Sequence, residues 1–186
     1  AVEAEDLLAS IGPKIDELLG DKIYAHSLDP LEAVVGKLLQ EYGATMAVAE
    51  SCSAGMLSQR VTDISGASDY FAGGFIVYSA ELKQKLLGIA PELIEAHSVV
   101  SHEVARAMAA AAKEKTGATY ALSVTGEAGP ESATGAEPGT VFIGLAGPRS
   151  VTSKRFHFLG ARERIRILSA QTALDCLRRE LLGING

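Results

Sequence analysis

Two patterns of apolar residues alternate along this chain of 186 residues. Short continuous apolar runs are typical of buried strands, and apolar residues that recur every three or four positions are typical of helices. The predicted strands cover residues 45–49, 75–78, 120–125, 140–145 and 151–158. The predicted helices cover residues 1–20, 30–43, 54–62, 80–87, 102–115 and 161–182.

The alternation of strands with helices predicts the fold class. Helices between successive strands indicate a parallel sheet, and the Gly147-Pro148 turn predicts that the last two strands form an antiparallel hairpin. We therefore expect a three-layer α/β/α sandwich with a mostly parallel mixed sheet. In such sheets ligands bind at the carboxyl ends of the strands.

The first 27 residues are predicted to be an appendage. An amphipathic helix presents Ile11, Ile15 and Leu18, and residues 21–26 are predicted to be one short strand. This segment is too small for its own core, so we divide the chain into an appendage at 1–27 and a main domain at 28–186. Because the apolar face needs cover, we expect a homo-oligomer, at least a dimer, or an upstream domain.

Serine and aspartate residues mark the predicted helix starts. Asp29 followed by Pro30 and Glu32 is typical of an N-cap with proline at the first helical position. Ser79 and Ser101 precede two further helices in the same manner.

Composition excludes several functional classes. A net charge of -6, a pI of about 5.2 and 5% aromatic residues disfavour binding to nucleic acid or an anionic membrane. Cys52 and Cys176 form no metal-binding or disulfide pattern, so we expect no metal and a reducing, cytoplasmic setting. No apolar stretch has the length of a membrane span.

Ser51 is the candidate nucleophile. It follows the strand at 45–49 and precedes a helix, where unpaired backbone N–H groups can stabilise a developing oxyanion. Two milder interpretations exist: Ser51 or Ser53 only caps the helix, and Glu50 only complements the positive helix N-terminus.

A serine nucleophile needs a base, and the four histidines are poorly placed for that role. Ala49 and Ser53 stand where the G-x-S-x-G elbow has glycines, which disfavours an α/β-hydrolase triad. Lys83, beside another strand end, is the candidate base if burial lowers its pKa, with Tyr78 relaying a proton or orienting the pair. The alternative is a solvated Lys83.

Two further features are candidate substrate contacts. The loop that contains Gly126, Gly129 and Gly139 can cradle a phosphate with backbone N–H groups, although glycine also serves ordinary turns. The last helix opens with an arginine-rich segment from Arg162 to Arg166. It is either a solvated face or the source of one arginine for a phosphate or carboxylate.

Several motifs occur in order along the chain. They are Ala49-Glu50-Ser51-Cys52, Val77-Tyr78-Ser79 followed by Lys83, Ser123-Val124-Thr125-Gly126 with Ala128-Gly129-Pro130, Pro138-Gly139-Thr140-Val141, and Gly160 with Arg162-Glu163. Together they resemble the CinA C-terminal domain family over about residues 31–182. The resemblance implies a metal- and cofactor-free nicotinamide mononucleotide deamidase that makes nicotinate mononucleotide and ammonia. It also implies a three-layer fold and an oligomer.

The resemblance also assigns roles by position. Ser51 is the nucleophile, Lys83 its base and Tyr78 their partner. Substrate contacts are expected from Glu50, Cys52, Ser53, Ala54, Gly55, Thr125, Gly126, Gly129, Gly139, Thr140 and Arg162. Residues 1–27 resemble the segment that joins an upstream nucleotide-pyrophosphatase-like domain, so we expect the chain to be a fragment of a longer protein.

Some positions depart from the family pattern. Ser53-Ala54 replaces Thr-Gly, Ala80 replaces asparagine, Glu127 replaces an apolar residue and Ala161 replaces aspartate, while the loop at 131–138 lacks a glycine run and a lysine. These changes leave the three candidate catalytic residues in place. They motivate a competing hypothesis, a nucleotide-binding or interaction module with weak or no turnover.

Overall fold

The computed structural model describes residues 2–184 as an α/β protein. Ala1, the start of the predicted appendage, and residues 185–186, the end of the main domain, lie outside the described residues. The helices are α1 (Val2–Leu19), α2 (Leu31–Glu41), α3 (Met56–Thr62), α4 (Ala80–Leu87), α5 (Pro91–His97), α6 (His102–Thr116) and α7 (Arg162–Leu181). The strands are β1 (Met46–Glu50), β2 (Phe71–Ile76), β3 (Tyr120–Gly126), β4 (Thr140–Ala146) and β5 (Val151–His157).

The strands form one sheet in the order β2-β1-β3-β4-β5. Strand β1 pairs in parallel with both β2 and β3, whereas β4 pairs antiparallel with β3 and with β5. Within the described part of the chain, β4 is therefore the strand that runs against the others. The predicted mostly parallel mixed sheet is confirmed.

Helices cover both faces of the sheet, which confirms the three-layer architecture. Met46 and Val48 belong to the core beneath α2, α3 and α7, and Ala47 and Ala49 to the core beneath α4, α5 and α6. The small side chains on the second face let the alanine-rich α6 approach closely. A Cβ added at Gly144 would lie 2.4 Å from a backbone oxygen of α6, so this position requires glycine.

Two predicted helix starts are confirmed by their caps. The Ser79 hydroxyl accepts a hydrogen bond from the Leu82 N–H at 3.1 Å, and the Ser101 hydroxyl accepts one from the Val104 N–H at 3.2 Å. Each bond satisfies an amide that the helix itself leaves unpaired.

The predicted start of α2 is wrong in detail. Pro30 occupies the N-cap and no side chain caps the helix. The Asp29 carboxylate instead forms an ion pair with the Lys37 amine of the same helix, at 2.7 Å.

Three other elements also differ from the prediction. The segment predicted as a strand at 21–26 contains a short 3-10 helix at Gly20–Lys22 and no strand. Strand β2 begins earlier than predicted, at Phe71, because Gly73 and Gly74 pair with β1. It lies at the sheet edge rather than in the core of the sheet, because β1 is its one partner strand in the described sheet. Helix α5 was missed because it has only seven residues, although Pro91 marks its first turn.

Helix α1 keeps an exposed apolar face. Leu8 and Leu18 are 71% and 80% exposed, and Ile11 and Ile15 are exposed as well. After α1, the carbonyl of Asp21 accepts a hydrogen bond from Arg178 of α7 at 2.7 Å. We propose that an oligomer partner or an upstream domain covers this face. No helix in residues 2–184 combines the length and apolar character needed to cross a membrane.

Candidate active site

The carboxyl ends of three parallel strands meet at one edge of the sheet. In the register of the sheet, Glu50 at the end of β1 lies beside Ile76 of β2 and Val124 of β3. The segments that follow these strands, which begin with Ser51, Val77 and Thr125, therefore emerge side by side.

The turn after β1 is longer than the sequence predicts. Helix α3 begins only at Met56, and Ala54 and Gly55 have φ angles of 49° and 93°. Two successive residues in the left-handed region turn the chain sharply, and glycine accepts that conformation without a steric penalty. Ser51 therefore lies ahead of the helix rather than in its first turn.

The Glu50 carboxylate occupies the N-terminus of α3. It accepts hydrogen bonds from the N–H groups of Gly55, Leu57 and Ser58 at 2.8–3.0 Å and from the Ser58 hydroxyl at 2.5 Å. Glu50 has no exposed surface, so the predicted substrate contact is wrong and the alternative, an acid that complements the helix N-terminus, is correct. The Glu50 carboxylate therefore occupies the backbone N–H groups of α3 that the sequence suggested for an oxyanion.

Ser51 and Lys83 are in direct contact. The Lys83 Nζ lies 2.9 Å from the Ser51 Oγ and also donates to the Val77 carbonyl oxygen at 3.0 Å. Lys83 lies one turn into α4, so the Ser79 cap that starts this helix also directs the lysine toward the strand ends. The lysine is held between the ends of β1 and β2.

Burial makes this lysine an unusually weak base. Lys83 is 1% exposed, and removal from water lowers its pKa from 10.5 to about 8. A neutral amine next to a hydroxyl can accept the hydroxyl proton, which an ordinary surface lysine at neutral pH cannot do. The alternative of a solvated Lys83 is excluded.

Cys52 is a poor competitor as nucleophile, although it adjoins Ser51. Burial raises the pKa of its thiol to about 12. The thiolate is the reactive form of cysteine, and almost none of it is present at neutral pH.

Tyr78 contacts Arg162 rather than the serine or the lysine. The Arg162 guanidinium donates to the Tyr78 hydroxyl at 3.0 Å and to the Gly129 carbonyl at 2.9 Å. Tyr78 is 58% exposed and makes no hydrogen bond to Ser51 or Lys83 within residues 2–184. The prediction that Tyr78 relays a proton is therefore wrong. The second hydrogen-bond partner of Lys83 is the carbonyl of Val77, the residue that precedes Tyr78.

These residues surround one cavity of about 130 Å³. Of the predicted site residues, the structure places these in its wall: Ser51, Cys52, Tyr78, Lys83, Thr125, Gly126 and Arg162. No histidine lines the cavity, which agrees with the poor placement expected for a histidine base. The described structure thus brings together segments from β1, β2, β3 and α7.

The other predicted substrate contacts lie outside this cavity: Glu50, Ser53, Ala54, Gly55, Gly129, Gly139 and Thr140. Ser53 is fully buried and its carbonyl oxygen accepts a hydrogen bond from Arg166 at 2.9 Å. Gly139 donates its N–H to the Glu127 carbonyl at 2.6 Å, and Thr140 is buried in β4. Burial contradicts a substrate contact for Ser53 and Thr140. Contact by Ala54, Gly55, Gly129 and Gly139 stays a prediction.

Sequence reasoning missed several wall residues, of which Glu127 is chemically distinctive. It is only 7% exposed, and its Oε1 accepts hydrogen bonds from the N–H groups of Ala133 and Thr134 at 3.2 and 2.9 Å. Val99 and Val100 also line the wall, where the Thr125 hydroxyl donates to the Val99 carbonyl at 2.8 Å. The available signal was an acidic residue directly after a buried strand.

Fold and cavity together define a three-layer α/β/α protein with a buried serine–lysine pair at the carboxyl edge of its sheet. A family model described as the CinA C-terminal domain matches residues 28–181. The chain belongs to this family.

Relatives and solved structures agree with that assignment. The chain is 47% identical over 182 residues to a CinA-like protein of Solibacter usitatus and 48% identical over 185 residues to one of Trichormus variabilis. Each match covers 97% of this chain and 44% of the relative. The chain therefore spans less than half the length of these curated relatives.

Crystal structures of bacterial proteins share the fold. A CinA superfamily protein from Klebsiella pneumoniae superposes with a TM-score of 0.80 at 26% identity, over 82% of this chain and 96% of that one. A competence/damage inducible protein from Agrobacterium tumefaciens gives a TM-score of 0.75 at 29% identity, over 84% and 99% of the two chains.

Proposed function

We propose that this protein hydrolyses the carboxamide of nicotinamide mononucleotide, giving nicotinate mononucleotide and ammonia. The observation that carries the proposal is the 2.9 Å contact between the Ser51 hydroxyl and the buried Lys83 amine, whose pKa is lowered to about 8. Membership of the CinA C-terminal domain family, which the motifs of this sequence resemble, supports the choice of substrate. We expect the protein to act on this nucleotide in the reducing interior of a cell.

The first half of the reaction transfers the acyl group to the enzyme. Neutral Lys83 accepts the Ser51 proton while the Ser51 Oγ attacks the carboxamide carbon, and the carbonyl π electrons move to its oxygen. When the C–N bond breaks, the protonated lysine gives its proton to the leaving nitrogen, and ammonia departs. The nicotinoyl group is then an ester of Ser51.

The second half regenerates the enzyme. Lys83 accepts a proton from water, the hydroxide oxygen attacks the ester carbon, and the lysine returns the proton to Ser51 as the acid leaves. The developing oxyanion requires hydrogen-bond donors that are already in position. We assign this role to the backbone amide of Cys52, which lines the cavity, because the Glu50 carboxylate occupies the amides of Gly55, Leu57 and Ser58.

Ammonia release from nicotinamide mononucleotide tests the proposed function. We expect the wild-type protein to release ammonia and nicotinate mononucleotide in equal amounts, and Ser51→Ala to lose most of the rate, by about a thousandfold or more. Ser150→Ala, an exposed serine in the turn between β4 and β5, is the matched control and should keep the wild-type rate. Both products are measured by chromatography.

The competing hypothesis is a nucleotide-binding or interaction module with weak or no turnover. The contact of the Glu127 carboxylate with two loop amides favours this hypothesis over the amidase, because those amides are then not available to position the phosphate of a substrate for turnover. Binding of nicotinamide mononucleotide with no product after a single-turnover incubation at high protein concentration would establish this alternative and reject the amidase.

The pH profile tests the role of Lys83. Because only the neutral amine accepts the serine proton, kcat/KM should rise about tenfold per pH unit below the lysine pKa and level off above about 8. The measurement is the initial rate at low substrate concentration between pH 5.5 and about 9.5. A rise that is complete near pH 6.5, the usual pKa of histidine, would contradict a lysine base.

A further inference from the structure

Glu127 and Arg162 place opposite charges in the wall of one cavity. The Glu127 carboxylate bonds to the amides of Ala133 and Thr134, and the Arg162 guanidinium bonds to the Tyr78 hydroxyl and the Gly129 carbonyl. All four partners are neutral, and no ion pair joins the two residues within the described chain. Both formal charges are therefore available to a ligand.

One oxygen of the Glu127 carboxylate faces no donor. Both amide hydrogen bonds end on Oε1, and Oε2 accepts none from the residues that the structure describes. The backbone of Glu127 is held by two further bonds, from its N–H to the Thr140 carbonyl and from the Gly139 N–H to its own carbonyl. The carboxylate is thus a fixed anion rather than a mobile surface group.

The proposed substrate carries a matching pair of charges. Its nicotinamide ring is a pyridinium cation because the ring nitrogen is bonded to ribose, and its phosphate is an anion. Lys83 supplies no cation in its reactive form, which is neutral. A carboxylate that is itself mostly buried and has no charged partner attracts a cation more strongly than an exposed carboxylate does.

We propose that Glu127 is a specificity-determining residue that selects the cationic ring of the substrate, with Arg162 available to its anionic end. This inference rests on the proposed function, since it concerns the same cavity. It implies that the substrates carry a carboxamide on a positively charged ring. It also predicts that the protein discriminates against substrates with an uncharged ring of the same shape.

The test compares two substrates that differ in ring charge. Nicotinamide mononucleotide has a charged ring, and its 1,4-dihydro form has a neutral ring with the same carboxamide, ribose and phosphate. Glu127→Gln removes the charge but keeps an oxygen that can accept from Ala133 and Thr134, so the loop stays in place. Glu131→Gln, an exposed acid in the same loop and outside the cavity wall, is the matched control.

We expect E127Q to lower kcat/KM for the oxidised substrate by roughly tenfold or more, through KM, and to change that for the reduced form by less than about twofold. E131Q should leave both unchanged. An equal loss on both substrates would overturn the proposal, because it would show that Glu127 acts only through the loop. No loss on either would overturn it as well.

A binding measurement separates this inference from the proposed function. In the Ser51→Ala background, which cannot turn over substrate, calorimetry gives the dissociation constants of both forms with and without E127Q. If the wild-type protein releases no ammonia but E127Q weakens binding of the oxidised form alone, the amidase fails and the role of Glu127 stands. If neither form binds, both proposals fail.

Discussion

Replacing Lys83 with methionine should lower the rate of amide hydrolysis by about a thousandfold or more and raise the free energy of unfolding at pH 7. Methionine fills a similar volume but carries no base. Burial of the wild-type ammonium group lowers the free energy of unfolding at pH 7 by on the order of 3 kcal/mol, for a pKa lowered from 10.5 to about 8. Loss of the hydrogen bond to the Val77 carbonyl offsets part of the gain.

The sign of the pH dependence distinguishes this explanation from simple repacking. Because the folded-state pKa of Lys83 lies below the unfolded value, the unfolded chain binds more protons between pH 8 and 10.5. The contribution of Lys83 to the free energy of unfolding of the wild-type protein should therefore become more favourable as pH rises through that window. It should become less favourable again as pH falls. The stability advantage of K83M should shrink over the same range.

Urea unfolding at several pH values measures that difference, and the ammonia assay measures activity. Lys83→Arg is the control for charge: it keeps a cation that cannot be deprotonated, so it should be inactive and gain no stability. An active Lys83→Arg, or a K83M variant less stable than wild type at pH 7, would refute the assigned role of the buried amine.

Replacing Glu50 with glutamine should lower the free energy of unfolding by about 3 kcal/mol. The carboxylate accepts three backbone N–H groups and the Ser58 hydroxyl, and it does so with both oxygens. Glutamine turns one of these acceptors into an N–H donor, so a buried donor at the start of α3 loses its partner. The same turn holds Ser51, so activity should fall with stability.

Glu81→Gln provides the matched control for this substitution. Glu81 also lies in the first turn of a helix, α4, but it is exposed. An exposed acid at a helix N-terminus contributes only about 0.5 kcal/mol. Chemical denaturation of the two variants measures their free energies of unfolding. Losses of similar size would show that the buried hydrogen bonds of Glu50 contribute no more than an exposed acid at a helix N-terminus.

Residues close together in the chain made much of the fold predictable. The caps Ser79 and Ser101 bond to amides three residues ahead, and Gly88 and Gly117 end the same helices with positive φ angles. The apolar periodicity of α6 and α7 and the hairpin of β4 and β5 are local in the same sense. The motifs around Ser51 and Lys83 also identified two wall residues, because strand ends in a parallel sheet meet at one edge.

Other features depended on partners distant in the sequence. Glu50 and Arg162 were both plausible ligand contacts by residue type, yet tertiary structure buries the first and exposes the second to the cavity.

The sequence by itself determined the order of most helices and strands and which residues follow the strand ends, since those signals act over a few residues. Only the tertiary structure decided that Tyr78 bonds to Arg162 rather than to Lys83, that β2 lies at the sheet edge, and that Glu127 enters the cavity wall. Burial and charge pairing set these outcomes, and both depend on which distant segments meet when the chain folds.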